Sequence, residues 1–438
     1  MSPPAHREVG GVLGVVAAVM FALSGCSPSR GPAVPVDLQD RAVVPGLTPA
    51  ARTWGAAINP EFEAAIVESV RRERAALAAE GFHGPLPPAD YLALSGGGAD
   101  GAFGAGLLCG WTVAGDRPTF KVVTGISTGA LMAPFAFLGP EYDAVLREVY
   151  TLTDTDDILK KRGLLLGALF CDAMADTKPL WRLMERYIDE RMLEEIAAEY
   201  RKGRLLIVGT TNLDARRAVL WNIGEIAASD IPERLQLVRS ILIASASIPA
   251  AFPPVLIDVE VDGERYQEMH VDGGAMTQVF VYPPSVRLRE WARHEGIERP
   301  RRAYIIRNAR LDPQWAEVDR RTLSIAQRAI TSLIQMQGLG DLYRIYFAAQ
   351  RDGVDFNLAY IPATFTTEMH EPFDPTYMSE LFQLGFDLAA GGYPWEKAPP
   401  YYEGEPGADD GGRGRSAGMW LRCPDQTAGQ LGGEAHRP

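Results

Sequence analysis

The strongest constraint on the fold of this chain is a pattern written twice. Tyr91-Leu92-Ala93-Leu94-Ser95 and Lys121-Val122-Val123-Thr124 read as short buried strands. Each is followed by glycines and then by an apolar helix, the first to about Trp111 and the second over 129–137. Further strands are expected at 204–208, with 218–221 as its partner, and at 255–261, 269–271, 303–307 and 354–361. Helices are expected at 59–80, 180–200, 235–245, 323–350 and 377–389. Asn59 supplies a cap and Pro60 a first-turn residue for the first of these. Leu333, Ile334 and Met336 read as core. Strands alternating with helices imply an α/β core with a largely parallel sheet.

The first 26 residues read as an address. An uncharged apolar run covers residues 10–23, too short for a span that needs about 20 residues and suited to a secretory signal. It ends in Leu23-Ser24-Gly25-Cys26, which resembles a bacterial lipobox and implies lipidation of Cys26. Ser27 lacks the aspartate that retains lipoproteins at the inner membrane, which favours the outer membrane of a bacterial envelope. Residues 26–58, rich in Pro, Ala and Gly, read as the lipidated cysteine and a flexible linker. Residues 396–438, rich in Gly and Pro, read as a disordered tail. One catalytic domain is left between them, at 59–395.

Three segments carry chemistry. Gly125-Ile126-Ser127-Thr128-Gly129 has the G-x-S-x-G form between strand and helix, in which the turn exposes Ser127 and only residues without bulk fit at 125 and 129. The helix behind it presents its positive dipole end. Gly96-Gly97-Gly98-Ala99-Asp100-Gly101 fits G-x-G-x-x-G, but the acid that a dinucleotide loop needs about 20 positions on is missing. Its other reading is an oxyanion hole built from the amides of Gly96, Gly97 and Gly98. Gly104 and Gly106 suggest close helix packing. Asp272-Gly273-Gly274 puts a carboxylate at a strand end with two small residues behind it.

The order of the three motifs resembles the patatin-like phospholipase family, and the run Ser245-Ala246-Ser247-Ile248-Pro249-Ala250-Ala251-Phe252-Pro253-Pro254 adds to the likeness. Thr210-Thr211-Asn212-Leu213-Asp214 also matches a segment familiar from that family. The resemblance implies a three-layer α/β/α fold with a mostly parallel central sheet and a nucleophile elbow. It implies a lipid acyl hydrolase of phospholipase A or lysophospholipase type, with Ser127 as nucleophile and Asp272 as base in a Ser–Asp dyad. The oxyanion site would be Gly96, Gly97 and Gly98, with Gly101 completing that motif and Gly125, Gly129, Gly273 and Gly274 shaping the other two. No cofactor or metal is implied, and the partners would be phospholipid or lysophospholipid and a membrane reached through the anchor. Many members carry Arg or Lys where this chain has Asp100, so its carboxylate is expected to point outward.

The alternatives are an acyltransferase or protease-like serine hydrolase on the same scaffold, and a catalytically silent binding lipoprotein. Of the histidines after Asp272, His294 reads as solvated and His436 lies in the tail, so a Ser–acid–His triad would draw on His370; His270 reads as structural. Cys109 reads as core. With Cys26 as anchor three cysteines remain, so at least one thiol stays unpaired. The apolar run 163–170 reads as a buried helix, with a lipid-contacting lid as the alternative. No H-E-x-x-H, C-x-x-C or acidic metal spacing occurs. A net charge of −13 argues against a nucleic-acid binder, which needs a basic surface, and disfavours adsorption on anionic lipid.

Overall fold

The computed structural model describes residues 30–402 except 57, 154–157, 159 and 162–174. The apolar leader, Cys26, the 163–170 run, Cys171, Cys423 and His436 therefore lie outside the described residues. Residues up to Pro400 cluster as one unit.

In chain order the elements are β1 (Arg52–Trp54), α1 (Pro60–Ala79), β2 (Ala89–Leu94), α2 (Gly101–Ala114), β3 (Val122–Ile126), α3 (Thr128–Leu138) and α4 (Asp143–Leu152). A two-stranded pair, β4 (Lys160–Lys161) and β5 (Ala175–Asp176), precedes α5 (Lys178–Tyr187) and α6 (Glu190–Arg201). Then come β6 (Leu205–Asn212), β7 (Arg217–Asn222), α7 (Ile223–Ala227), α8 (Arg234–Ser245), β8 (Val255–Val261) and β9 (Glu264–Asp272). The last are α9 (Leu288–His294), β10 (Arg301–Arg310), α10 (Thr322–Asp352), β11 (Asp355–Ile361) and α11 (Pro375–Ala390).

The central strands run β6-β3-β2-β10-β11, all parallel, with β7 and then β1 added antiparallel beyond β6. β2 and β6 are buried at every residue, as strands covered on both faces must be. One face carries the largest core, with α2, α3, α6, α8 and α11; the other carries α1, α9 and the second half of α10. This is the expected three-layer α/β/α fold with a mostly parallel sheet. α2 and α11 cross at backbone contact: a Cβ on Gly106 would lie 2.0 Å from the Phe382 carbonyl oxygen, and one on Gly110 2.1 Å from that of Phe386.

One edge of β6 is shared. Residues 205–209 pair with β3, and where β3 ends the same edge continues with β9, Thr210 facing Asp272 in antiparallel register. β3 thus delivers Ser127 and β9 delivers Asp272 to adjacent positions on one ladder.

Four expectations are corrected. The stretch expected as a flexible linker is packed from residue 30 onward. Val34, Ala42, Val44 and Ala51 are buried, β1 pairs with β7, and Val43 bridges Glu260. Its apolar residues enter the core singly between prolines, so they show no period. Residues 396 and 397, expected in the tail, are packed instead: Glu396 bridges Leu358 and the Lys397 ammonium reaches Asp355 at 2.9 Å. The single helix expected over 180–200 is two, because the Asp189 side chain caps α6 by accepting from the Met192 amide at 2.9 Å. Leu333, Ile334 and Met336, expected in the core, are exposed on α10.

Candidate active site

Ser127 joins β3 to α3 with φ at 55°, a conformation rare for a residue with a side chain. The flanking glycines make this turn possible. A Cβ on Gly125 would lie 2.5 Å from the Gly129 carbonyl oxygen, and one on Gly129 2.3 Å from that of Leu94. Ser245 fixes the turn from behind: its hydroxyl donates to the Gly209 carbonyl at 2.6 Å and accepts the Ser127 amide at 3.0 Å. α3 begins at Thr128, so its unpaired amides and positive end face the serine.

The Ser127 hydroxyl lies beside the Asp272 carboxylate and favours its charged form. Asp272 is buried, and its Oδ1 also accepts the Gly274 amide at 2.7 Å. Burial pushes its pKa up to about 6, against the opposing pull of Ser127 and of the Gly274 amide. Gly273 and Gly274 are needed for fit: a Cβ on the first would meet the Gly209 carbonyl oxygen at 2.5 Å, and one on the second would meet Asp272 Oδ1 at 2.9 Å.

The glycine loop lies against this pair, a Cβ on Gly96 falling 3.2 Å from that of Ser127. Gly96 itself is not a free donor, because its amide is spent on the Gln278 carbonyl at 3.1 Å. That corrects the three-amide expectation. The amides of Gly97 and Gly98 make no backbone hydrogen bond among the described residues. Gly98 adopts φ 58°, the left-handed region, and a Cβ there would meet nothing within 4 Å. Gly101 abuts the elbow helix, where a Cβ would fall 2.2 Å from Thr128 Oγ1.

Asp100 does not point outward as expected. Its Oδ1 accepts the Tyr377 hydroxyl from α11 at 2.6 Å. Burial raises its pKa to about 6, opposed by Tyr377 and by the charge of Arg307.

Sequence reasoning missed Arg307. It is buried on β10, and its Nη1 donates to Ser95 Oγ and to the Gly96 carbonyl, both at 3.1 Å. Burial lowers its pKa to about 10, while Asp341 and Asp100 favour the charge. Next to it, Asn308 donates to the Ser95 carbonyl at 2.9 Å and accepts the Gly104 amide at 3.1 Å. Gln278 ties the two motifs together, donating to the Gly274 carbonyl at 2.7 Å while accepting the Gly96 amide. The only sequence signal was a charged residue closing an apolar strand.

No described histidine joins the serine. His270 is buried between Thr210 Oγ1 at 2.9 Å and Glu268 Oε2 at 3.0 Å, so both ring nitrogens are engaged. His294 is exposed beside Glu295, and His370 lies in an exposed loop. Cys109 is buried, as expected. Among the described residues no cluster has the makings of a metal site, and no helix is long and apolar enough to cross a membrane.

Ser127 and Gly98 open on a narrow apolar pocket lined by Leu131, Val149, Ile158, Leu183, Phe252 and Phe373. A larger hollow of about 520 Å³ lies behind, against Ile126, Leu220 and Phe280, and includes neither Ser127 nor Asp272.

The family profile described as patatin-like phospholipase matches residues 92–283, from within β2 to beyond the Asp-Gly-Gly turn. The chain carries a patatin-like phospholipase domain. This is a family of lipid acyl hydrolases. The patatin-like segment holds the glycine loop, Ser127 and Asp272, while Arg307, Asn308 and Tyr377 reach them from beyond it. No curated protein matches the chain. Among solved structures the chain is similar to VipD from Legionella pneumophila, at 12% identity and a TM-score of 0.35. That likeness covers 70% of this chain and 66% of the other, just under two thirds.

Proposed function

We propose that this patatin-like domain hydrolyses carboxylic esters of phospholipids or lysophospholipids through Ser127 and Asp272, at a bacterial membrane to which Cys26 anchors it. The observation that carries the reading is a strained serine and a buried carboxylate delivered side by side on one ladder, at the mouth of an apolar pocket. A carboxylate at its usual pKa is a poor base for a hydroxyl, and burial makes this one better.

In this mechanism the Ser127 oxygen attacks the ester carbonyl as its proton passes to Asp272. The amides of Gly97 and Gly98 hold the oxyanion. Collapse breaks the ester C–O bond, and the proton on Asp272 leaves with the alcohol. Water then gives a proton to Asp272 and its oxygen to the acyl carbon, and that proton passes to the Ser127 oxygen as the acyl bond breaks and fatty acid leaves. Asp100, whose charge would oppose an oxyanion, is engaged by Tyr377. That supports an active enzyme over a silent binding protein. The lipobox and the absence of Asp at position 27 support an outer-membrane lipoprotein.

A fluorophosphonate probe should label the wild type at Ser127 and leave Ser127→Ala unlabelled, as read by peptide mass spectrometry. A wild type that takes no label would overturn the reading. Turnover of a soluble acyl ester should rise with pH up to about 6 and then level, because only ionised Asp272 accepts the proton. A pH–rate profile flat from pH 4.5 to 8 would exclude Asp272 as base.

A further inference from the structure

α10 is longer than the sheet needs. Its 31 residues extend about 46 Å, against about 33 Å for the 10 residues of β10 that precede it. Only its second half packs, through Leu342, Ile345, Tyr346 and Ala349. The first residue of the helix to be buried is Gly338, which sits against the guanidinium of Arg307. The turns before it, about 24 Å of helix, project beyond the sheet with no buried residue among those described.

These turns are apolar. Ile330, Leu333 and Ile334 share one face, with Ile325 and Met336 also exposed; Leu333 is 70% and Met336 63% accessible. Between Thr322 and Gly340 the only charged side chain is Arg328, in a protein of net charge −13. Arg328 donates to the Gln314 carbonyl and Gln335 to that of Asp312 at 3.1 Å, binding the preceding loop to the helix. That loop holds Trp315, 88% accessible.

The position of the arm is informative. β10 runs parallel to β2 and β3, so the loop and the arm leave from the sheet edge that carries the glycine loop and Ser127. Arg30, the first described residue, lies at the same edge. Arg30 binds Asp214 just past the end of β6, and the Gln267 carbonyl on the part of β9 that projects beyond it. Ile248, which lines the pocket of Ser127, is exposed there too.

We infer that residues 315–337 form a docking arm that inserts its apolar face into the neutral phospholipid surface from which the site draws substrate. The inference rests on the proposed lipid hydrolysis, and it names the surface the enzyme works on. A helix with an exposed aliphatic face, with Gln327, Arg328, Thr331 and Gln335 on its other side and an exposed Trp beside it, has the character of an interfacial element. Insertion through apolar side chains suits a protein whose net charge disfavours anionic lipid.

The test uses the full chain with Ser127→Ala, so that lipid is not consumed. Vesicles of phosphatidylcholine with dibrominated acyl chains should quench Trp315 fluorescence, seen as the difference between this protein and one also carrying Trp315→Phe. Ile330→Glu with Leu333→Glu should abolish that difference. With Ser127 intact, the same pair should lower hydrolysis of phosphatidylcholine vesicles at least tenfold, since two exposed aliphatic side chains lose their burial (on the order of tenfold each). Hydrolysis of a soluble short-chain ester should be unchanged. No Trp315-dependent quenching overturns the inference. So does a change of oligomeric state or of soluble-ester turnover in the double variant, which would assign the face to a second copy or to this chain's own undescribed segments. Failure of the hydrolase reading itself would show separately, as ester turnover that survives Ser127→Ala.

Discussion

Asp272→Asn is expected to lower kcat for ester hydrolysis by roughly 10²–10⁴-fold, the usual contribution of a positioned general base. The amide keeps the shape of the carboxylate and an oxygen for the Gly274 amide, but it takes no proton from Ser127. The same change should stabilise the fold at neutral pH. The carboxyl titrates near 6 in the folded protein against an ordinary value of 3.8. The folded state therefore holds its proton more tightly, and stability is lost as pH rises from about 4 through 6. Above that range the buried charge costs about 3 kcal/mol. The asparagine protein should melt higher than wild type at pH 8 and near it at pH 4.5, by calorimetry. Adding Ser127→Ala should deepen the kinetic defect little, because the two groups act as a unit. Wild-type turnover in Asp272→Asn would remove Asp272 from the chemistry.

The second large effect is on stability. Arg52 on β1 meets Glu268 on β9 through two hydrogen bonds of 2.6 and 2.9 Å, both side chains almost wholly buried. The guanidinium also lies over the rings of Trp54 and Trp221. Burial pushes the Glu268 pKa up, but Arg52 and His270 together draw it down to about 2. Its contribution is thus present above the ordinary carboxylate value and lost as pH falls toward 2. Glu268→Ala leaves Arg52 charged and unpaired in the core and should cost about 3–5 kcal/mol by urea titration. Replacing both residues by aliphatic side chains should recover most of that loss. A single-variant cost below about 1 kcal/mol would mean that water reaches the pair.

The parts of this molecule governed by local rules were legible in the sequence. Asn59 caps α1 by accepting from the Phe62 amide at 2.7 Å, as its place before Pro60 indicated. The elbow and the Asp-Gly-Gly turn each need small residues at fixed spacing, so steric necessity is written in the letters. The long-range parts were not legible. Nothing near Arg307 in the chain shows that a glycine loop more than 200 residues earlier would fold onto it. Gly96 belonged to an obvious donor run, yet a carbonyl from Gln278 claims its amide. Leu333 and Met336 were assigned to the core on hydrophobicity alone, which does not say how far a helix outruns its sheet. The segment from residue 30 failed for the converse reason: its buried residues are scattered, so packing leaves no period to find.

That packed segment sets the length of a leash. Residues 26–58 as free chain would let the domain wander about 30 Å from an acyl anchor. With Arg30 pinned to Asp214 and Gln267, only three residues lie between Cys26 and the folded body. The four steps from Cys26 to Arg30 reach at most about 14 Å. Lipidated at Cys26, as we propose, the domain would be confined to the leaflet that carries it. Its local substrate concentration would then be set by that leaflet alone, and a facing membrane would lie out of reach.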